Sequence, residues 1–74
     1  MNIDKLVEVD PEKMSGTPVF AGTRVPIKNL FDYLEGGDSL EVFLDDFPTV
    51  SKEQALGVIE ASRRLLLDKY EIAA

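Results

Sequence analysis

The chain has 74 residues, 45% of them apolar, with a net charge of −6 and a pI near 4.4. Cysteine and histidine are absent, which excludes disulfides and any zinc site built on thiolate or imidazole. A domain this short is only marginally stable alone, and self-association is the remaining route to stability, so a homodimer with two-fold symmetry is expected.

The charge excludes more. Residues 1–37 hold six acids and four bases, and residues 38–74 hold eight acids and four bases. Neither half offers the basic face that counterion release from nucleic acid requires. An acidic chain suits a basic protein partner better. No apolar run reaches the roughly 20 residues that span a bilayer, and the first residues lack a signal-peptide pattern. A single cytoplasmic domain without membrane contact is therefore expected, with strand and hairpin over 1–26, helices over 27–70 and a tail over 71–74.

In chain order, Leu6, Val7, Glu8 and Val9 suit a short strand, which Asp10-Pro11 ends by removing a donor and favouring a turn. The segment T-P-V-F-A-G-T-R-V-P (17–26) reads as a hairpin about Ala21-Gly22. A two-residue loop there sets Phe20 opposite Thr23 and Val19 opposite Arg24. Period two then turns Phe20 inward and leaves Val19 and Arg24 outside. Pro26 stops the second strand and suits the start of a helix.

Helices follow. Ile27, Leu30, Phe31 and Leu34 keep the spacing of one buried face, and Gly36-Gly37 end it. Asp38 is placed to cap the next helix with Glu41 as its box partner, and Leu40, Phe43, Leu44 and Phe47 form its inner stripe until Pro48. Ser51 and Gln54 make a second capping box, with Val50 and Ala55 as hydrophobic staple. Ala55, Val58, Ile59, Ser62 and Leu66 are the expected inner stripe of the third helix. Three helices of about ten, nine and eighteen residues, the last two separated by Pro48-Thr49-Val50, match helix-turn-helix spacing. The fold class is α+β, mainly α: a three-helix core beside a short strand and hairpin.

The stretches G-T-P-V-F-A-G-T-R-V-P, L-F-D-Y-L-E-G-G-D-S-L-E-x-F-L-x-D-F-P and V-S-x-E-Q-A resemble domain-of-unknown-function family number 433 over roughly residues 3 to 67. The matching marks are Gly16, Pro18, Gly22, Thr23, Arg24, Val25 and Pro26, then Leu34, Gly37, Phe47 and Pro48. Ala61 stands where many members carry a tyrosine. The resemblance implies a homeodomain-like or winged helix-turn-helix, and an antitoxin that neutralises a PIN-like nuclease toxin and represses its own operon.

Candidate site residues divide by chemistry. Arg24 either grips a carboxylate or phosphate or is locked internally by Asp10, Asp45 or Asp46; the second is the stronger reading. Gly16 and Gly22 serve turns, since no phosphate-loop motif follows them. Without histidine or cysteine, and with serines placed as caps, no nucleophile has a base beside it, so no enzyme, cofactor or small-molecule substrate is expected. Asp38, Glu41, Asp45 and Asp46 read as a solvated acidic face in preference to a Mg²⁺ or Ca²⁺ site.

For DNA, a reading helix should offer polar or basic side chains at its N-terminal outer face. Here that face holds Lys52, Glu53 and Gln54, weak material for the isolated chain. At the other end, Leu65, Leu67, Tyr70 and Ile72 exceed one buried stripe, and such excess marks an interface. The reading that unites these points is an antitoxin whose Val19, Arg24, Leu65, Leu67, Tyr70, Glu41, Asp45 and Asp46 meet a toxin or a dimer mate. The alternatives are a dimeric DNA-binding regulator using Arg24, Lys28, Lys52 and Gln54, and a purely structural dimerisation module.

Overall fold

In the computed structural model, which describes residues 3–70, a 3-10 turn (Ile3–Lys5) leads into strand β1 (Val7–Glu8). A second short turn (Met14–Gly16) precedes strand β2 (Val19–Phe20), and helices α1 (Ile27–Glu35), α2 (Leu40–Asp46) and α3 (Lys52–Tyr70) follow. β1 and β2 pair antiparallel, Val7 opposite Phe20 and Glu8 opposite Val19. The architecture is α+β and mainly helical, as the apolar periodicity predicts.

The hairpin differs from its expected register. Phe20 N–H donates to the Val25 carbonyl at 3.0 Å, and Val19 bridges Pro26, so the loop is the four residues Ala21–Arg24 rather than two. Thr23 closes it: its hydroxyl donates to Phe20 O at 2.8 Å and accepts from Val25 N–H at 3.0 Å. The longer loop sets Val19 across from Pro26 instead of Arg24. Val19 is fully buried, at 0% exposure, which removes it from any docking face. Past the Val19–Pro26 bridge the pairing keeps a single bond, from Ile27 N–H to Pro18 O at 3.0 Å, because Pro18 has no N–H to return. Pro26 is extended and stands at the N-cap of α1.

The helices bury their expected faces. Leu30, Phe43, Ala55 and Val58 join Leu6, Phe20, Val25 and Val50 in one cluster, with Ile27, Phe31, Leu34, Leu40, Leu44, Phe47 and Ile59 packed against it. Phe43 lies 6.0 Å from the Phe20 ring, 5.1 Å from Phe47 and 5.5 Å from Tyr33. Rings at such distances add attraction beyond their buried area.

Helix ends follow hydrogen-bond accounting. Gly37, at φ +94°, donates to Leu34 O, and Asp38 N–H donates to Tyr33 O at 2.9 Å, which is a Schellman closure. That use of Asp38 moves the α2 cap one residue on. Ser39 Oγ, not Asp38, accepts from Val42 N–H at 3.2 Å, so the Asp38–Glu41 box is not formed. The Ser51–Gln54 box is formed both ways at 3.0 Å. Gln54 Nε2 also donates to Ala21 O at 2.9 Å, which fastens α3 to the hairpin loop.

The far half of α3 departs from its expected stripe. At about 1.5 Å per residue its 19 residues run roughly 28 Å, against roughly 14 Å and 10 Å for α1 and α2. It outruns the body beneath it. Ser62 and Leu66, expected inside, are exposed, and Ser62 Oγ turns back to Val58 O at 3.0 Å. The radius of gyration, 13.0 Å, exceeds the roughly 11 Å of a compact chain this long.

Gln54→Ala removes the reciprocal cap and the tie to Ala21 together. It should lower unfolding free energy by roughly 1–2 kcal/mol, read as a lower urea midpoint at unchanged slope; an unmoved midpoint contradicts the clamp.

Candidate functional site

Three surfaces remain once the core is accounted for. The first is the hairpin tip, where Gly22 to Pro26, Lys13, Phe47 and Thr49 line an open cleft of about 560 Å³. Glu8 braces this tip from β1. Its Oε1 accepts from Gly22 N–H at 3.1 Å, and its Oε2 accepts from Lys13 Nζ at 3.0 Å. Gly22 sits at φ +77°, a region glycine enters without steric cost.

The backbone donor from Gly22, and then the Lys13 ammonium, hold the Glu8 carboxyl below the ordinary glutamate range. Glu8 carried no recognisable signal in the sequence, because its partners lie five and fourteen residues away.

Arg24 is exposed at this tip, and no carboxylate among the described residues lies within 4.0 Å of it. The expected internal lock does not form, because its candidate partners are engaged or placed elsewhere. Asp10 Oδ1 accepts from Glu12 N–H at 2.9 Å, and Asp46 Oδ2 accepts from Tyr33 O–H at 2.7 Å. Arg24 therefore presents its guanidinium to solvent.

The second surface is the outer side of α1 and α2. Residues 29–51 contain Asp32, Glu35, Asp38, Glu41, Asp45 and Asp46 and no base, so the chain's whole net charge resides there. Lys28 pairs with Asp32 at 2.8 Å from outside the segment. Glu41 and Asp45 are exposed without a cation partner among the described residues. The Asp46 hydrogen bond and charge push the Tyr33 phenol above its ordinary range, since ionised tyrosine cannot donate to a carboxylate. No group of three or more potential metal ligands gathers among the described residues.

The third surface is α3 beyond Val58, where Leu65 is 74%, Leu66 58% and Tyr70 62% exposed. Leu67 is half-buried, and Ile72 lies outside the described residues. Beside Leu65 runs an apolar groove of about 470 Å³, lined by Ile3, Val7, Pro18, Ile27, Val58 and Ala61 among others. Of the residues expected to read DNA, Gln54 is consumed by its cap and by Ala21, Lys28 by Asp32, and Lys52 is exposed at the start of α3.

The family model for proteins of unknown function DUF433 matches residues 7–60. The chain belongs to the DUF433 family. The solved structure of a DUF433 member protein from Anabaena variabilis ATCC 29413 is similar to it, with a TM-score of 0.70 at 17% identity, over 92% of this chain and 69% of that one. At that identity the likeness shows the shared fold. No curated protein matches the chain. Among the described residues of this DUF433 member, no helix is long and apolar enough to cross a membrane.

The Glu8 brace sets a pH dependence. Its folded pKa lies below the unfolded value, so its stability contribution is present above the unfolded pKa and is lost as pH falls through the folded one. Thermal midpoints followed from about pH 7 down to about pH 3 should fall less steeply in Glu8→Gln than in the native chain. Parallel curves would show that Glu8 does not brace the tip.

Proposed function

We propose that this DUF433 chain is the antitoxin of a two-protein system and acts by binding, not by catalysis. Under this reading the α1–α2 surface covers the basic substrate face of a nuclease toxin. One observation carries it: 23 consecutive residues, 29–51, hold six acids and no base, and the exposed Glu41 and Asp45 among them have no internal cation among the described residues.

Charges that satisfy nothing internally cost stability through mutual repulsion and suit an oppositely charged surface. A nuclease must present basic side chains to its polyanionic substrate, so an acidic cover competes for the same face. The reading as a binding protein draws further support from the hydroxyls: Ser39 and Ser51 act as caps, and Thr23 closes its own loop.

The second reading, a dimeric DNA-binding regulator, has one observation in its favour, the exposed Arg24 at the hairpin tip, which has no carboxylate partner among the described residues. Gln54 is spent and the neighbouring α2 is acidic, so phosphate contact by the free chain is opposed. A low-salt gel shift against its own upstream region separates the two; a saturable shift by the chain alone would favour the regulator.

Co-expression with the adjacent reading frame should relieve that neighbour's toxicity and yield a stable complex. Glu41→Lys combined with Asp45→Lys should weaken the complex at least roughly tenfold while leaving the helical spectrum unchanged. Absence of a complex with the native chain sinks the antitoxin reading.

A further inference from the structure

The apolar arm of α3 forms one wall of the groove beside it, and the charge along this arm is opposite in sign to that of the body. Residues 61–70 carry Arg63, Arg64 and Lys69 against the single Asp68, a net +2, which leaves −8 on the rest of the chain. Within the body the third helix buries Ala55 and Val58. Past them the same stripe continues through Ser62 and Leu65 with nothing beneath it. Leu65 is at once the most exposed apolar side chain named above and a wall of the groove that Ile3, Pro18, Ile27, Val58 and Ala61 complete.

We propose that a second copy of this chain occupies this groove, its α3 arm lying antiparallel to the first about a two-fold axis beside Leu66. Charge complementarity selects this occupant. Two copies of net −6 repel through their acidic bodies, so a self-contact must use the stretch where the chain is basic. A contact through the arm keeps the two acidic α1–α2 surfaces apart and lets the arm's own opposite charges, Arg64 and Asp68, meet across it.

The register follows from helix geometry. Arg64 lines the groove, and Asp68, one turn further on the same face, has no cation partner among the described residues. An antiparallel pair centred beside Leu66 sets Arg64 of each copy against Asp68 of the other, twice by symmetry. In that register residues 65–70 of one arm lie opposite residues 62–67 of the other, so Leu65 of each is covered by the partner's arm. Leu66 and Tyr70 lie on the opposite flank of the same seam. The seam shares no residue with the α1–α2 surface, so the two proposals stand or fall separately.

Sedimentation velocity of the purified full chain tests it. Over about 1 to 200 µM the native chain should sediment as a dimer or as a monomer–dimer equilibrium. Leu65→Glu should weaken the dimer roughly tenfold or more, with helix content by circular dichroism unchanged because Leu65 is already solvent-facing. Leu56→Glu, which alters an exposed leucine of α3 outside this groove, should leave the dimer intact.

Arg64→Asp should weaken the dimer by setting two carboxylates together, and the exchange Arg64→Asp with Asp68→Arg should restore it. Loss of the exposed Arg64–Glu60 pair cannot mimic that restoration, since the exchanged chain lacks the pair too. A native chain that stays monomeric throughout overturns the proposal. So does a dimer indifferent to Leu65→Glu, or a monomer whose arm instead binds phosphatidylserine vesicles through the same leucine.

Discussion

The contact on which this small structure depends is the packing of Phe43 against Phe20. It joins a residue of α2 to a residue of β2 across 23 positions of sequence, with both rings fully buried. No disulfide is available to hold the two halves together, so dispersion and the exclusion of water from these rings must do so. Tyr33 and Phe47 extend the contact outward at 5.5 and 5.1 Å, and Tyr33 then passes its hydroxyl to Asp46. The aromatic column thus runs from the dry centre to the acidic surface, and it fixes where α2 presents its carboxylates.

A second tie acts at the other end of the hairpin. The Gln54 side chain serves as box partner to Ser51 and as donor to Ala21. One residue therefore sets both the start of α3 and the distance of the hairpin loop from it. Glu8 does the corresponding work from β1, by holding Gly22. With the loop fastened from two sides, Arg24 is held at a defined place although its own side chain bonds nothing among the described residues.

How much of this was legible in the sequence depends on the range of the interaction. The helical faces, the Gly36-Gly37 stop and the Ser51–Gln54 box were readable because residue types specific to caps, stops and apolar stripes recur there at helical spacing. The hairpin register was not readable. Two-residue and four-residue loops both satisfy Gly22, and the choice rests on the Thr23 hydroxyl bridging Phe20 and Val25, which alternation does not encode. That single difference sent Val19 inside. The α2 cap failed for a related reason, since Asp38 had a stronger claim on its N–H from the preceding helix. At the sites, the charge of Glu41 and Asp45 and the excess of Leu65 were visible as composition. The engagement of Asp46 by Tyr33, the tie from Gln54 to Ala21, and the lack of a partner for Arg24 among the described residues required knowing which side chains meet.

The mismatch of helix lengths has a consequence for how such a chain can be used. α1 and α2 are short enough for their apolar faces to be spent within the core, so what they show outward is charge. α3 is about twice as long and spends only its first turns there. The apolar arm of α3 is thereby set apart from the acidic α1–α2 surface along the molecule. In the proposed pairing, contact between copies is confined to the arm, where Leu65 is desolvated while the acidic bodies stay apart. If two arms join, the assembly carries two acidic α1–α2 surfaces, and a partner with two basic faces would meet both at once. The second contact would then form at the high effective concentration set by the first, so a weak single surface becomes a tight pair without any further contact being added.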